Sequence, residues 1–206
     1  LVNNHVYPEP LYGENNRPEH IPESLNKTSY WYRTVVTVPK SYKDRVTWLN
    51  FDGINYAADV CVNGTKVGSI KGAFIRGHFN LTDYVKPGKK AVIAVLVAPQ
   101  PDPGVPHEHT LRAGLGKNGG ITAIDGPTFL STIGWDWIPA IRYRDTGIWQ
   151  KVYLSATGDV AVKDPLVTTD LPLPETSSAD VTVQATVQNL SGVAARGVLK
   201  GTIENI

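Results

Sequence analysis

Methionine is absent from the 206 residues and cysteine occurs once, at Cys61. A chain that starts at Leu1 without any methionine reads as a piece of a longer translation product. A lone cysteine excludes an internal disulfide, and within "AADVCVNG" the thiol reads as a small buried hydrophobe rather than a nucleophile. Long apolar runs are missing as well. The longest, "AVIAVLVAP" from Ala91, falls far short of the ~20 residues that cross a bilayer as a helix and has the length of a buried strand. Charge of one sign is equally scarce. The formal net charge is +1 with no basic run, so the electrostatic footprint of a nucleic-acid binder is missing. Neither a nucleic-acid nor a membrane partner is expected.

What the chain does contain is β-forming sequence. Hydrophobic residues make up 41% of it, enough for one full domain and part of another. Residues 1–29 carry Asn, Pro, Glu and His without periodicity and read as an extended lead-in. "YWYRTVVTVP", from Tyr30 to Pro39, is dense in β-branched and aromatic residues and reads as a strand, as does "RVTWLNFDG" after a polar turn. "AADVCVNGTKVGSI" places Asn63 and Gly64 between apolar arms, the strongest hairpin signal in the chain. "HFNLTDYVKPGKK" reads as a turn-rich connection with one helical turn near Asp83, and it leads into the buried strand from Ala91. "GIWQKVYLSA" is predicted as one strand. "DPLVTTDLPLPETSSAD" reads as linker, and "VTVQATVQN" as a half-buried strand with Val181, Val183, Ala185 and Val187 on one face. The fold class is all-β, with a domain boundary near residue 158.

Residues 99–128 form a long Gly- and Pro-rich segment, a length that inside a compact domain usually serves function. It leads into "STIGWDWIPAIRYRDTGIWQKVYL". There Trp135 and Trp137 flank Asp136, offering apolar ring faces for the C–H side of a sugar and a carboxylate for its hydroxyls. A regular strand would point the two rings and the acid to opposite faces; a bend near Pro139 would bring them together. On chemistry alone, two core tryptophans with a surface acid fit equally well. Arg142, Arg144 and Asp145 fit a solvated ion-pair turn better than a substrate contact. His107 and His109 have no third ligand at metal spacing, so no metal site and no cofactor is expected. Asn26, Asn63, Asn80 and Asn189 head Asn-x-Ser/Thr triplets, which arise often by chance. No catalytic residue is identified, because neither a nucleophile motif nor a pair of closely spaced carboxylates stands out.

Five ordered stretches, "LYGENN", "YWYRTVVTVP", "LNFDGINYAADVCVNGTKVG", "FNLTDYVKPGKKAVIAVLV" and "GWDWIPAIRYRDTGIWQKVYL", resemble the amino-terminal sugar-binding domain of family 2 glycoside hydrolases. The GWDW-Pro pattern is similar to that of the β-mannosidase and exo-β-glucosaminidase branch. The resemblance implies a jelly-roll, galactose-binding-like sandwich over residues 1–157, followed over 158–206 by the first strands of an incomplete immunoglobulin-like sandwich. It also implies that both catalytic glutamates belong to a later barrel of the same parent chain, so that this piece alone is inactive. Its partners are then that barrel and the non-reducing terminal sugar of a glycan. Asp136 is the implied sugar contact, with Trp135 and Trp137 as platform and core, and Asn15 of "YGENN" on a second pocket-facing loop. The parent is expected to be an exo-acting retaining β-glycosidase; a periplasmic or secreted location is favoured, with no signal peptide in the chain to assign it. A free-standing carbohydrate-binding module and a structural sandwich of a surface protein are the alternatives.

Overall fold

The computed structural model describes residues 27–99 and 146–204. The chain divides into two compact units, Leu1–Lys43 with Thr47–Ser155, and Asp44–Val46 with Ala156–Ile206.

In the first unit, β1 (Tyr30–Thr37), β2 (Val46–Phe51), β3 (Ile54–Asn55), β4 (Ala57–Val62), β5 (Thr65–Lys71), β6 (Gly77–Asn80), β7 (Lys90–Ala98), β8 (Gly147–Ile148) and β9 (Val152–Thr157) form three sheets. Their orders are β1-β7-β4-β5, β6-β2-β9 and β3-β8. Period-two alternation fixes which face turns inward. On β7, Ala91, Ile93, Val95 and Val97 are buried while the intervening residues are half-buried. On β4 the buried set is Ala58, Val60 and Val62. Those side chains meet Leu49 and Phe51 of β2, with Ile54, Leu81 and Val85, in one apolar core. Full burial of a side chain the size of Leu49 or Phe51 contributes about 1.5–3 kcal/mol. Phe51 meets Phe79 of β6 edge to face, with centroids 6.0 Å apart.

The β4–β5 turn follows the sequence reading. Asn63 and Gly64 both have positive φ, 50° and 87°, as a two-residue type I′ turn requires. Several expectations are corrected. A 3-10 turn not expected from the sequence lies at Lys40–Tyr42, shortly after β1 ends at Thr37, while the turn expected near Asp83 is a single one in which Tyr84 N and Val85 N both donate to Leu81 O. Pro87 and Gly88 follow too soon for a helix to propagate there. "HFN", read as connection, belongs to β6 and pairs with β2. "GIWQKVYLSA" is two strands, β8 and β9, interrupted at Trp149–Lys151.

In the second unit, β10 (Val160–Asp170) pairs with β11 (Asp180–Asn189). Part of the stretch read as linker is therefore strand, and Pro165 is accommodated by a bulge between Lys163 and Leu166, with Asp164 at φ 49°. The bulge has a consequence for parity. Val162 faces Val187 and Val167 faces Val183, so five positions along β10 match four along β11, and both valine pairs stay on one side. β11 is a strand as expected but not half-buried: Val181, Val183 and Val187 are exposed, and only Ala185 is partly covered.

Candidate functional site

Three turns of the first unit converge where the chain returns from residues 100–145. β3 and β8 pair antiparallel, Ile54 opposite Ile148 and Asn55 opposite Gly147, with Ile54 and Asn55 fully buried. Immediately beyond β8, the Trp149 and Gln150 amides both donate to Gly53 O, at 3.3 and 3.4 Å, and Asp52 N donates to Lys151 O at 2.9 Å. The indole of Trp149 packs against Gly53: a methyl group at Gly53 would sit 2.6 Å from Nε1 and 2.7 Å from Cε2. Only glycine admits that approach. Trp149 Nε1 donates to Ala73 O at 3.0 Å, in the turn between β5 and β6, and Phe74 of that turn meets the indole edge to face at 5.9 Å. The turn is closed by Ile75 N donating to Gly72 O, and Gly72 N donates to Tyr56 O just before β4. Phe74 and Trp149 are 69% and 40% exposed, so this corner presents apolar ring surface to solvent.

On the other side of β8, Gly147 has φ 145° and lies under Tyr32 of β1; a methyl there would be 2.6 Å from the Tyr32 hydroxyl. Tyr32 is 41% exposed as a residue, with its hydroxyl set against Gly147. Burial pushes the Tyr32 phenol above its ordinary range, and Tyr30 adds to the shift.

A polar cluster lies elsewhere on the outer face of the four-stranded sheet. Ser69 Oγ donates to Asp59 Oδ1 at 2.7 Å and Lys66 Nζ lies 2.8 Å from the same oxygen. The Lys66 contact, then Ser69, holds the Asp59 carboxyl below the usual range. All three side chains are solvated, and an exposed pair of this kind contributes little to stability.

The residues expected to touch sugar, Asp136, Trp135, Trp137 and Asn15, lie outside the described residues, as do His107, His109, Arg142, Arg144 and Asp145. Sequence reasoning passed over Trp149, Gly53 and Tyr32. The available signal was the pair of Gly-Ile steps, Gly53-Ile54 and Gly147-Ile148, which prove to be hydrogen-bonded neighbours.

Residues 1–150 match the family model described as glycosyl hydrolase 2 galactose-binding domain-like. The mannosylglycoprotein endo-beta-mannosidase of Lilium longiflorum is 35% identical over 168 residues, 80% of this chain and 17% of the lily protein. The exo-beta-D-glucosaminidase of Streptomyces avermitilis is 29% identical over 201 residues, 96% of this chain and 19% of the Streptomyces protein. Among solved structures, the exo-chitosanase CsxA of Amycolatopsis orientalis in complex with PNP-beta-D-glucosamine matches with a TM-score of 0.65 at 28% identity, covering 93% of this chain and 19% of that one. The chain spans less than a fifth of the length of these relatives.

Proposed function

Because the chain belongs to the glycosyl hydrolase 2 galactose-binding domain-like family, we propose that it is the amino-terminal, non-catalytic part of an exo-acting retaining β-glycosidase. Residues 1–157 form the sugar-binding sandwich and 158–206 open an immunoglobulin-like one; the division into compact units at Ser155 and Ala156 supports that boundary. Hydrolysis takes place on a barrel elsewhere in the parent chain. This domain contributes the loop with Asp136, whose carboxylate accepts a hydrogen bond from a hydroxyl of the terminal sugar. Trp135 and Trp137 supply an aromatic platform and a core contact, and Asn15 adds a second polar contact.

The observation that carries the reading is the Streptomyces alignment, which runs along 96% of this chain yet 19% of a protein named an exo-beta-D-glucosaminidase. The lily relative favours a second reading, since at 35% identity it is named an endo-acting β-mannosidase. Product lengths separate the two. The full-length protein is incubated with chitosan oligosaccharides and with β-mannosyl glycopeptides, and products are sized over time. Release of single sugars from the non-reducing end is expected. Internal fragments would favour the endo reading, and no hydrolysis alongside measurable sugar affinity of this chain alone would favour a free-standing binding module.

A further inference from the structure

We propose that the outer face of the four-stranded sheet, around Trp31 and Arg33, binds a carboxylated glycan chain, an inference that does not depend on the role of Asp136. Strand pairing sets which side chains share that face. Ala91, Ile93, Val95 and Val97 of β7 turn inward, so Ala94 and Leu96 turn outward. Residues directly opposite one another on neighbouring strands point the same way. Leu96 stands opposite both Trp31 of β1 and Asp59 of β4, and Asp59 stands opposite Ser69 of β5. Ala94, the next outward position, stands opposite Arg33 and Cys61, and Cys61 opposite Lys66. The contacts of Asp59 with Ser69 and Lys66 agree with that direction across β4 and β5.

The chemistry of the partner follows from what this face leaves open. Trp31 is 60% exposed, and its indole N–H has no acceptor among the described residues. Beside the half-buried Ala94 and Leu96, its ring offers an apolar platform for the C–H side of a sugar. Arg33, two positions on and about 7 Å away along β1, is exposed and has no ion-pair partner among the described residues. Its guanidinium fork matches a carboxylate. Charge points the same way. Arg33, Lys66, Lys71 and Lys90 face outward on these strands against a single acid, Asp59, which Lys66 already engages. A chain of net charge +1 therefore gathers surplus positive charge here, which favours an anionic partner. A uronic acid unit carries a C–H face and a carboxylate on one ring, the pair that Trp31 and Arg33 present side by side. Asp59 lies two strand spacings from Trp31, about 10 Å, so a second unit of the same chain reaches the hydroxyl of Ser69 and the ammonium of Lys66. An extended peptide would instead add to the sheet along β1, which is an edge strand.

The test is titration of the full-length protein with oligogalacturonate, its methyl ester and a poly-glutamate peptide, with thermal unfolding recorded for every variant. Trp31→Ala and Arg33→Ala are each expected to weaken oligogalacturonate binding about tenfold or more, with the unfolding temperature unchanged. Arg33→Gln serves if Arg33→Ala does not fold, and Trp31→Leu if Trp31→Ala does not. The methyl ester keeps the ring faces but not the charge and should bind about tenfold more weakly than the acid. Added salt should weaken wild-type binding of the acid. Arg33→Lys keeps the charge without the fork and should recover only part of the loss. Absence of oligogalacturonate binding to the wild type overturns the proposal. So does binding that survives in folded variants at both positions, or a methyl ester that binds as well as the acid. Tighter binding of poly-glutamate than of oligogalacturonate overturns it in favour of an acidic peptide.

Discussion

Asn50 Nδ2 donates to Ser155 Oγ at 2.8 Å, tying β2 to β9 across 105 positions of sequence on the face opposite the core. The same amide reaches Tyr153 O at 3.3 Å, and Asn50 Oδ1 faces His78 Nδ1 of β6 at 2.9 Å. A carbonyl oxygen only accepts, so His78 carries its proton on Nδ1 here. One nearly buried side chain thereby links all three strands of that sheet. Replacing it with leucine removes three bonds and leaves polar partners against an apolar chain. Asn50→Leu should lose about 1–3 kcal/mol of stability, read from the denaturant midpoint of the intact chain. An unchanged midpoint would contradict the assignment.

Asn63 has a second task beyond its turn. Its Nδ2 donates to Tyr84 O and its Oδ1 accepts from Val92 N, each at 2.9 Å, joining the hairpin tip to β7 and to the turn before it. Asn63→Asp keeps a residue that tolerates positive φ but loses the donor, and sets a carboxylate against the Tyr84 carbonyl. It should cost about 1 kcal/mol, and Asn63→Gly, which keeps the turn but loses both bonds, should cost at least as much. Equal stability of wild type and Asn63→Asp, measured by urea unfolding, would remove Asn63 from that role.

Tyr32 holds its proton more tightly in the folded chain than in the unfolded one, chiefly through burial. A raised folded pKa gives stability that is fully present below the unfolded value near 10 and is lost as pH rises through the folded value. The wild-type melting temperature should fall more steeply than that of Tyr32→Phe as pH rises above about 10. Parallel curves would mean that the hydroxyl over Gly147 does not titrate with folding.

The core strands were legible because period two is written directly into them, as in Ala91, Ile93, Val95 and Val97, and because an Asn-Gly pair between apolar arms demands a type I′ turn. Other features depend on contacts that spacing does not encode. Pro165 looks like a strand breaker until a bulge takes up its missing N–H, and the alternation of Val181, Val183 and Val187 specifies a face without specifying what lies over it. The break at Trp149–Lys151 follows from Gly53 and Ala73, residues far away in sequence that accept its hydrogen bonds. The resemblance of "GWDW" points to Asp136, which lies outside the described residues, whereas the contacts of Trp149 with Gly53 and Ala73 required three turns to be placed side by side.

The proposal that this domain reaches the sugar through Asp136 is tested most directly by kcat/KM of the full-length protein with and without that carboxylate. A charge-assisted hydrogen bond of about 1.5–3 kcal/mol corresponds to a loss of about 10- to 150-fold in Asp136→Ala, with the unfolding temperature unchanged. A variant that folds normally and matches wild-type kcat/KM would contradict the account.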